Sequence, residues 1–357
     1  MPHLQSRSLR VYADHLEYLD QTQLPQVEQW VRCDSPEEWQ HAVKTLAIRG
    51  APLIGLSAAF VLAQYAARHP QSDWQLVSDR LRATRPTAVN LMYCLDAMEA
   101  CFEQGANALA ERAAELFSED RALCQRMAER GADLLKTGDR VLTHCNTGAL
   151  ATAGVGTAIG ALAVAKQRGV ELHVFVDETR PLLQGGRLTA WEMADLGIPY
   201  QLITDSMAAS LMAAGKVDKV MVGADRVCAN GDFANKVGTY MLAVIAHYHQ
   251  VPFYVVAPYT TVDPACATGA DIPIEQRDPA EIRGVTGAFG EVTWAPDNAP
   301  VWNPAFDVTP AKLVTAWVLD TGVFDAAAIA RGEHCQGGAN PIALTHKHGG
   351  YAVHSNH

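Results

Sequence analysis

The spacing of apolar residues divides the chain into two parts with different periods. From about Ser35 to Arg130, apolar residues recur at helical intervals in SPEEWQHAVKTLAI, APLIGLSAAFVLAQYAARH and ALAERAAELFSEDRALCQRMAERGADLL. This spacing predicts a mainly helical region. Ser35, with Pro36 and Glu38 after it, is a typical N-terminal cap for the first helix. The residues before Ser35, including LRVYADHLEYLDQTQLP, predict short strands and turns instead.

From Gly138 onward, short β-branched runs alternate with helical segments. The predicted strands are DRVLTH, LHVFVDE, YQLITD, KVMVGAD and PFYVVAP, and the predicted helices are GTAIGALAVAKQRG, LTAWEMADLG, SMAASLMAAG and NKVGTYMLAVIAHYHQ. Strand and helix alternating at this interval are typical of a parallel sheet covered on both faces. The fold class predicted for the whole chain is therefore α/β, with a small helical N-terminal domain followed by a Rossmann-like domain.

These patterns predict two domains and a tail. Residues 1–130 form the N-terminal helical domain with its leading β segments, and residues 131–334 form the Rossmann-like α/β domain. The remaining segment, 335–357, is rich in histidine and glycine and has no sustained period. Such a segment is typical of a flexible or loosely docked extension, although His346 and His348 offer an alternative role in fortuitous metal binding.

Composition and charge narrow the functional classes. Of the 357 residues, 49% are hydrophobic, which is enough for a sizeable core. No uninterrupted apolar run reaches a membrane span of roughly 18 residues, and the start lacks a secretory pattern, so we expect a cytoplasmic protein. A net charge of -11 with 28 basic residues disfavours nucleic acid and membrane partners. The spacing of the eight cysteines matches neither a disulfide framework nor a zinc site, so we expect a reducing compartment.

Polar side chains gather where the predicted strands end. Cys145 follows the first of these strands, Asp177 the second, Asp205 the third, Asp225 the fourth and Thr260 the fifth. Open parallel sheets bind ligands in the crevice at these carboxyl ends, so we expect a site there. The alternative is that loops are polar and begin where strands end. That alternative explains a thiol and a carboxylate at the ends of two apolar strands less well.

The stretch THCNTGALATAGVGTAIG, residues 143–160, resembles a dinucleotide-binding loop only in part. Its glycines at 154, 156 and 160 miss the standard spacing by one residue, and eight residues separate Cys145 from Gly154. We therefore disfavour a nicotinamide cofactor, and expect a small-residue loop whose helix amides can receive phosphate oxygens. A metal site at Asp177, Glu178 and Asp205 is also disfavoured, because these carboxylates more simply hold loops in place.

Several cations occupy positions suited to a phosphate ester. Arg49 precedes a Gly-Ala-Pro turn and a predicted helix start, and Arg85 precedes a second, proline-initiated helix. Either arginine alone is more simply explained as a solubilising charge. Asn235 and Lys236 are predicted to begin a long helix, where a lysine opposes the helix dipole and indicates an anion nearby.

Eight segments of the chain closely resemble the methylthioribose-1-phosphate isomerase family of methionine salvage. They are LDQTQLP, AIRGAPLIG, TRPTAVNL, THCNTGALAT, VDETRPLLQGGRLTAWEM, DSMAA, VGADRVCANGDFANKVGTY and NPAFDVTPAKL. They lie in order over roughly residues 10–325, so the resemblance is far more specific than any one motif. The same family includes ribose-1,5-bisphosphate isomerases and regulatory subunits of the exchange factor for eukaryotic translation initiation.

The resemblance implies an aldose–ketose isomerase with no redox cofactor, no obligatory metal and a homodimeric assembly. It implies that Asp225 is a general acid or base and that Cys145 is the second catalytic group. The implied substrate contacts are Arg49, Gly50, Ala51, Arg85, Gln184, Asn235 and Lys236. Two alternatives to this function remain. The substrate is another phosphorylated pentose, or the protein is a regulatory subunit that only senses a sugar phosphate. A sensor needs the cations but has no use for an acid–base pair.

Overall fold

The structure is a computed structural model, and it describes residues 3–336. Its first unit is an antiparallel sheet of four short strands in chain order. The strands are β1 (Leu4–Gln5), β2 (Leu9–Val11), β3 (Leu16–Leu19) and β4 (Trp30–Cys33). The leading strands predicted from the sequence are therefore confirmed.

Five helices follow and build the core of the N-terminal region. They are α1 (Pro36–Lys44), α2 (Ala51–Arg68), α3 (Trp74–Arg82), α4 (Val89–Glu99) and α5 (Ala106–Ala132). Ser35 caps α1 as predicted, because its hydroxyl accepts a hydrogen bond from the Glu38 N–H. Helix α2 is long and apolar enough to cross a membrane, which the sequence reading did not anticipate, but most of it is buried in this core.

The helix after Arg85 begins later than the sequence predicts. Helix α4 starts at Val89 with Ala88 as its N-terminal cap, so Pro86 lies in the preceding turn and does not initiate the helix. The Ala88 N–H donates to the Arg85 carbonyl oxygen at 3.0 Å. Arg85 is therefore positioned by a turn and does not lie directly beside a helix N-terminus.

The second half of the chain alternates strands and helices, as predicted. Its strands are β5 (Arg140–Thr143), β6 (His173–Asp177), β7 (Tyr200–Ile203), β8 (Lys219–Val222), β9 (Arg226–Cys228), β10 (Phe233–Lys236), β11 (Phe253–Val256), β12 (Val262–Asp263), β13 (Gly284–Gly287), β14 (Gly290–Thr293), β15 (Phe306–Thr309), β16 (Ala316–Val318) and β17 (Val323–Phe324). Its helices are α6 (Ala158–Gln167), α7 (Ala190–Asp195), α8 (Ala208–Ala213), α9 (Thr239–Tyr248), α10 (Ala280–Arg283) and α11 (Ala326–Ala330).

A seven-stranded sheet forms the centre of this half, in the order β17-β16-β11-β8-β5-β6-β7. All neighbouring strands are parallel except β17, which pairs with β16 in the antiparallel direction. Apolar side chains of α5 and α6 cover one face, and those of α8 and α9 cover the other. Burial on both faces explains the continuous apolar runs in the sequence. The predicted α/β class is confirmed.

The direction in which strands are added reverses between β5 and β8. From β5 the chain proceeds outward through β6 and β7, then returns to place β8, β11 and β16 on the opposite side. Such a reversal leaves a crevice at the carboxyl ends of the two central strands, because their connections lead away in opposite directions. Cys145 follows β5 and Asp225 follows β8, so both residues lie at this crevice.

A second sheet, in the order β12-β9-β10-β15, corrects one sequence prediction. Asn235 and Lys236 were expected to begin a helix, but they lie on strand β10, which pairs antiparallel with β15. Helix α9 starts only at Thr239, after Gly238 in the left-handed conformation. The inference from a lysine at the positive end of a helix is therefore wrong, and Lys236 is placed by sheet pairing.

The structure bears on two of the predicted boundaries, the one at residue 130 and the one at residue 335. Helix α5 is 27 residues long, extends past residue 130, and packs against both α2 and α6. One continuous helix therefore links the N-terminal core with the central sheet. Of the predicted tail 335–357, Cys335 ends a short 3₁₀ turn, and residues 337–357 lie outside the described part of the chain.

Candidate active site

All nine residues predicted to form the site line one cavity. The cavity lies at the reversal of the central sheet, between its carboxyl edge and the N-terminal helices. The nine residues are Arg49, Gly50, Ala51, Arg85, Cys145, Gln184, Asp225, Asn235 and Lys236. Since they come from positions up to 187 residues apart (49 to 236), tertiary folding alone brings them together.

Cys145 is held in an uncommon backbone conformation at the end of β5. Its φ is +62°, in the left-handed region that residues other than glycine seldom adopt. Its N–H donates to Thr179 Oγ1 at 2.9 Å, and its carbonyl oxygen accepts a hydrogen bond from Thr189 Oγ1. These two threonines stabilise the turn that presents the sulfur to the cavity, where Cys145 is 7% exposed. Strain of this kind is frequent at functional sites.

Asp225 lies across the crevice, three residues after β8. Its N–H donates to the Ala234 carbonyl oxygen at 2.9 Å, which ties its backbone to β10. Gly223 allows the close approach of the two central loops, because a Cβ there would lie 2.5 Å from Thr147 Cγ2. The loops after β5 and β8 are therefore packed directly against each other.

Burial controls the protonation of both candidate catalytic groups. It raises the pKa of the Asp225 carboxyl above its usual range, while Lys236, Arg85 and Arg49 act in the opposite direction. Burial likewise raises the pKa of the Cys145 thiol, against the effect of Arg49 and Lys236. The sequence left the state of this sulfur open, and the structure favours a thiol at neutral pH. A buried carboxyl with a raised pKa is suited to proton donation.

Lys236 is a buried residue of the cavity wall. Its Nζ donates to the Ala305 carbonyl oxygen at 2.7 Å and lies 4.8 Å from the centre of the Phe306 ring. Burial lowers the pKa of this lysine, and the nearby Cys145 and Asp225 oppose that effect. Beside it, the Asn235 amide donates to Thr239 Oγ1 at 3.0 Å. Both side chains are thus fixed before any ligand arrives.

Arg49, Gly50 and Ala51 form the N-terminal wall of the cavity, as the sequence predicts for a cation at a helix start. Gly50 caps α2 with φ +95°, and Ala51 is the first residue of that helix. A Cβ at Gly50 would lie 2.6 Å from Ala151 Cα, so the helix start approaches the glycine-rich loop closely. The first backbone N–H groups of α2 are therefore available at the cavity wall.

Arg85 and Gln184 complete the predicted set. The Arg85 guanidinium donates to Glu275 Oε2 at 2.8 Å, forming an ion pair at the cavity edge. Gln184 is 5% exposed, and its Oε1 atom accepts no hydrogen bond within the described residues. A buried amide oxygen without a donor is costly, which is consistent with a position that a ligand hydroxyl completes.

Further polar residues that line the cavity or hold its wall were not assigned from the sequence. They include Gln21, Arg187, Glu192, Glu275 and Arg277. The first three lie inside the segments LDQTQLP and VDETRPLLQGGRLTAWEM, so those segments carried a signal that was not resolved to single residues. Nothing in the sequence around Glu275 or Arg277 indicated a role, because both are brought to the cavity by a long loop.

Of the carboxylates at the ends of β6 and β7, Asp205 is the one that holds backbone among the described residues. Asp205 accepts hydrogen bonds from the N–H groups of Thr179 and Arg180 at 2.8 and 2.7 Å. His144, Asp177 and Asp205 place ligand atoms within 4.8 Å of one another. The two ring nitrogens of His144 are engaged by Asp177 Oδ2 and by the Val237 carbonyl oxygen, while Asp177 Oδ1 is buried and accepts no hydrogen bond within the described residues. The expected loop-holding role fits the contacts of Asp205, whereas the Asp177 carboxylate bonds a histidine ring.

The fold and the site define a class of α/β protein with a cavity that can hold a small anionic ligand between a helical domain and the switch point of a parallel sheet. The chain belongs to the initiation factor 2 subunit family, whose model matches residues 47–326. The resemblance found in the sequence is thereby confirmed.

Relatives and solved structures agree on this family. The chain is 59% identical over 335 residues to methylthioribose-1-phosphate isomerase of Klebsiella pneumoniae (strain 342), covering 93% of this chain and 98% of that protein. The enzyme of the same name from Serratia proteamaculans (strain 568) is 58% identical, with the same coverage. The crystal structure of 5-methylthioribose 1-phosphate isomerase from Pyrococcus horikoshii OT3 is 38% identical with a TM-score of 0.83, covering 92% of this chain and 95% of that one.

A solved structure named for a different role is equally similar in sequence. The translation initiation factor eIF-2B, subunit delta, from A. fulgidus is 39% identical, with a TM-score of 0.79. The match covers 93% of this chain and 100% of that one. The fold alone therefore does not separate an isomerase from a regulatory subunit, and the separation depends on the residues of the site.

Proposed function

We propose that the chain is an aldose–ketose isomerase that converts 5-methylthioribose 1-phosphate to 5-methylthioribulose 1-phosphate in methionine salvage. The observation that carries this proposal is the 58–59% identity, over 93% of the chain, to enzymes named methylthioribose-1-phosphate isomerase. The joint presence of Cys145 and Asp225 in one cavity supports it, because isomerisation requires groups that move protons.

The chemistry of the substrate explains why two proton-handling groups are needed. The anomeric oxygen carries phosphate, so the ring cannot open through a free hydroxyl. Cleavage of the bond between C1 and the ring oxygen requires a proton on that oxygen, and Asp225, with its raised pKa, is suited to supply it. A hydrogen then moves from C2 to C1 as the C2 hydroxyl becomes the ketone. It moves either as a proton through an enolate-like species or as a hydride.

Cys145 acts as the second catalytic group, as a proton shuttle or transition-state stabiliser. Its thiol lies in the same cavity as Asp225, and Arg49 and Lys236 favour any negative charge that develops on it. Phosphate and sugar oxygens are bound by Arg49, Arg85, Gln184, Asn235 and Lys236, together with the backbone of residues 50–51. Most of these groups are held by neighbouring atoms beforehand, which limits the reorganisation needed at the moment of reaction.

We assign residues 1–130 and 131–334 to the helical and Rossmann-like domains, and the protein to the cytoplasm. The eight cysteines are unpaired, which fits a reducing compartment. The assembly is a homodimer with no nucleic-acid or membrane partner. Helix α9 presents four exposed apolar residues along one side, Tyr240, Met241, Val244 and Tyr248, a surface suited to a second copy. Val244→Glu is expected to shift the mass measured by light scattering from dimer to monomer.

One alternative is a regulatory subunit that senses a sugar phosphate without turnover, supported by the 39% identity to a translation initiation factor subunit. Another is isomerisation of a different pentose, such as 5-deoxyribose 1-phosphate or ribose 1,5-bisphosphate. A methylthio group requires apolar surroundings and a second phosphate requires basic ones, so relative turnover of the three sugars separates the substrates.

The decisive experiment follows 5-methylthioribose 1-phosphate by NMR in deuterated water with the purified protein. Appearance of the ketose establishes the isomerase, and binding without conversion supports the regulatory alternative. Deuterium at C1 of the product indicates the proton relay, and its absence indicates the hydride shift.

A further inference from the structure

The cationic side chains of the cavity fall into two groups. The cations in its wall are Arg49, Arg85, Arg187, Lys236 and Arg277. Arg85 and Arg277 are neutralised by carboxylates, since Arg85 pairs with Glu275 at 2.8 Å and Arg277 pairs with Glu281 at 2.6 Å. Of the rest, Arg187 is the cation to which neither the sequence nor the family resemblance assigns a role.

Arg187 is held only by neutral oxygens within residues 3–336. Its Nη1 donates to the Gln21 carbonyl oxygen at 2.9 Å, and its Nε and Nη2 donate to the Leu182 carbonyl oxygen at 3.1 and 3.0 Å. These bonds use three of the five guanidinium hydrogens. One hydrogen on Nη1 and one on Nη2 remain, in a side chain whose orientation is already fixed from two sides.

The surroundings of Arg187 disfavour its positive charge. Burial, together with the neighbouring Arg49, lowers the pKa of Arg187 to about 10. The guanidinium still carries its charge at neutral pH. Its hydrogen-bond partners are neutral carbonyl oxygens, and the carboxylate of Asp20 acts on it without a direct hydrogen bond. A buried cation of this kind gains more from an added hydrogen-bond acceptor than an exposed arginine does, because no water must be displaced from a full hydration shell.

The neighbourhood of Arg187 also offers acceptors that lack donors. Gln21 and Gln184 both line the cavity, and the Oε1 atoms of both are buried and accept no hydrogen bond among the described residues. Acceptor oxygens repel the oxygens of a phosphate, but they bind hydroxyl hydrogens. Guanidinium donors beside amide acceptors therefore match sugar hydroxyl groups, which donate and accept at the same time.

Hydrogen bonds place Arg187 on the Cys145 side of the cavity. Thr189, two residues after Arg187, donates its hydroxyl to the Cys145 carbonyl oxygen, whereas the Asp225 N–H donates to the Ala234 carbonyl oxygen on β10, the strand that carries Lys236. Lys236 is thus the natural neighbour of the phosphate on the Asp225 side. The sugar hydroxyls are then left facing the corner formed by Gln21, Gln184 and Arg187.

We propose that Arg187 is a substrate-binding residue whose two remaining N–H groups donate to sugar hydroxyl oxygens on the Cys145 side of the cavity, with Gln21 and Gln184 accepting from the same hydroxyls. This assignment rests on the proposed isomerase function. It identifies the sugar, as distinct from the phosphate, as the part of the substrate that Arg187 recognises.

The test compares Arg187→Met and Arg187→Lys with Arg180→Met as the matched control. Arg180 also donates to backbone carbonyl oxygens, those of Pro181, Glu281 and Ile282, but it lies outside the cavity lining. Two quantities are measured for each protein: kcat/KM for 5-methylthioribose 1-phosphate, and the inhibition constant of inorganic phosphate as a probe of the phosphate subsite.

Loss of charge-assisted hydrogen bonds is expected to lower kcat/KM by about 100-fold in Arg187→Met and by about 10-fold in Arg187→Lys. The inhibition constant for phosphate should change by less than about threefold in both, and Arg180→Met should resemble the wild type. The lysine variant keeps the charge, so it provides the answer if the methionine variant does not fold.

Two results overturn the assignment. One is a kcat/KM in the folded Arg187 variants within about threefold of Arg180→Met, which is the usual range for a surface change. The other is weakening of phosphate inhibition in parallel with the substrate. Failure of the wild-type protein itself to convert the substrate refutes the proposed function instead, so the two failures are distinguishable.

Discussion

The Arg49 side chain donates two hydrogen bonds to Asn146, although the two residues are 97 positions apart. Its Nη1 donates to Asn146 Oδ1 at 2.6 Å, and its Nη2 donates to the Asn146 carbonyl oxygen at 2.9 Å. The Asn146 amide nitrogen donates in turn to the buried carboxylate of Glu192 at 2.5 Å. Because Asn146 follows Cys145 directly, this chain of contacts joins the N-terminal helices to the loop that carries the sulfur.

Asn146→Ala is expected to impair both stability and catalysis. The change removes the amide that bonds both the buried Glu192 carboxylate and Arg49 Nη1, while the bond from Arg49 Nη2 to the backbone carbonyl oxygen of residue 146 remains. This loss costs about 2–3 kcal/mol of unfolding free energy. Misplacement of Arg49 and the Cys145 loop should lower kcat/KM at least about 10-fold. Urea unfolding and steady-state kinetics measure the two effects. Asn230→Ala, at an exposed position where the side chain exchanges hydrogen bonds with Asp232, is the control. Equal behaviour of the two variants would contradict the coupling.

Gly50→Ala and Gly105→Ala separate backbone strain from close packing. Both glycines precede a helix with similar positive φ, +95° and +89°. A Cβ at Gly50 would lie 2.6 Å from Ala151 Cα, whereas a Cβ at Gly105 meets nothing within 4 Å. We expect a loss of about 1 kcal/mol for Gly105→Ala, from strain alone, and of about 3 kcal/mol for Gly50→Ala.

The two glycine variants should also differ in enzymatic activity. Gly50→Ala should also lower kcat/KM, since the start of α2 must move away from the loop at Ala151, while Gly105→Ala should not. Thermal or urea unfolding together with kinetics checks both expectations. A similar stability loss in the two variants would show that the close approach at Gly50 is relieved without cost.

Cys145→Ala and Asp225→Asn should each remove turnover while leaving binding. Removal of a group that transfers protons is expected to lower kcat by about 100-fold or more. The phosphate and sugar contacts remain, so the dissociation constant measured by calorimetry should stay within a few-fold of the wild type. Substantial isomerase activity in either folded variant refutes the assigned roles.

The buried carboxyl of Asp120 is expected to make the stability of the fold depend on pH. This residue of α5 accepts a hydrogen bond from the Ala153 N–H at 2.7 Å, and burial raises its pKa from 3.8 to about 6. Between these two values the native state binds the proton more tightly than the unfolded state does. Rising pH through this window therefore destabilises the fold, by up to about 3 kcal/mol once both states are ionised.

Asp120→Asn isolates this contribution. The difference in unfolding free energy between wild type and variant should decline as pH rises from about 4 to 7, because only the wild type ionises there. Urea unfolding at several pH values measures it. Asp297→Asn, at an exposed position, is the control and should leave the pH dependence of the wild type unchanged. A pH-independent difference for Asp120→Asn would mean that burial does not hold this carboxyl protonated.

Local patterns were sufficient to predict most elements and the edge where the site lies. Helical spacing indicated α1, α2 and α5, the Ser35 cap was visible in three residues, and the βα alternation indicated the parallel sheet. Such features depend on neighbours a few residues away, so the sequence displays them directly. The positions of Cys145 and Asp225 after their strands also follow from this alternation. The roles of these residues came from resemblance to a family.

Tertiary structure alone decided where the binding residues stand. Asn235 and Lys236 directly precede a segment of helical period and were expected to begin its helix, yet they lie on a strand because β10 pairs with β15, about 70 residues later. Arg187 and Glu275 gained their places in the same way, through contacts with Gln21 and Arg85 far along the chain. A periodic pattern records which face of a segment is buried, but not which distant segment covers it, and the cavity is built from those distant contacts.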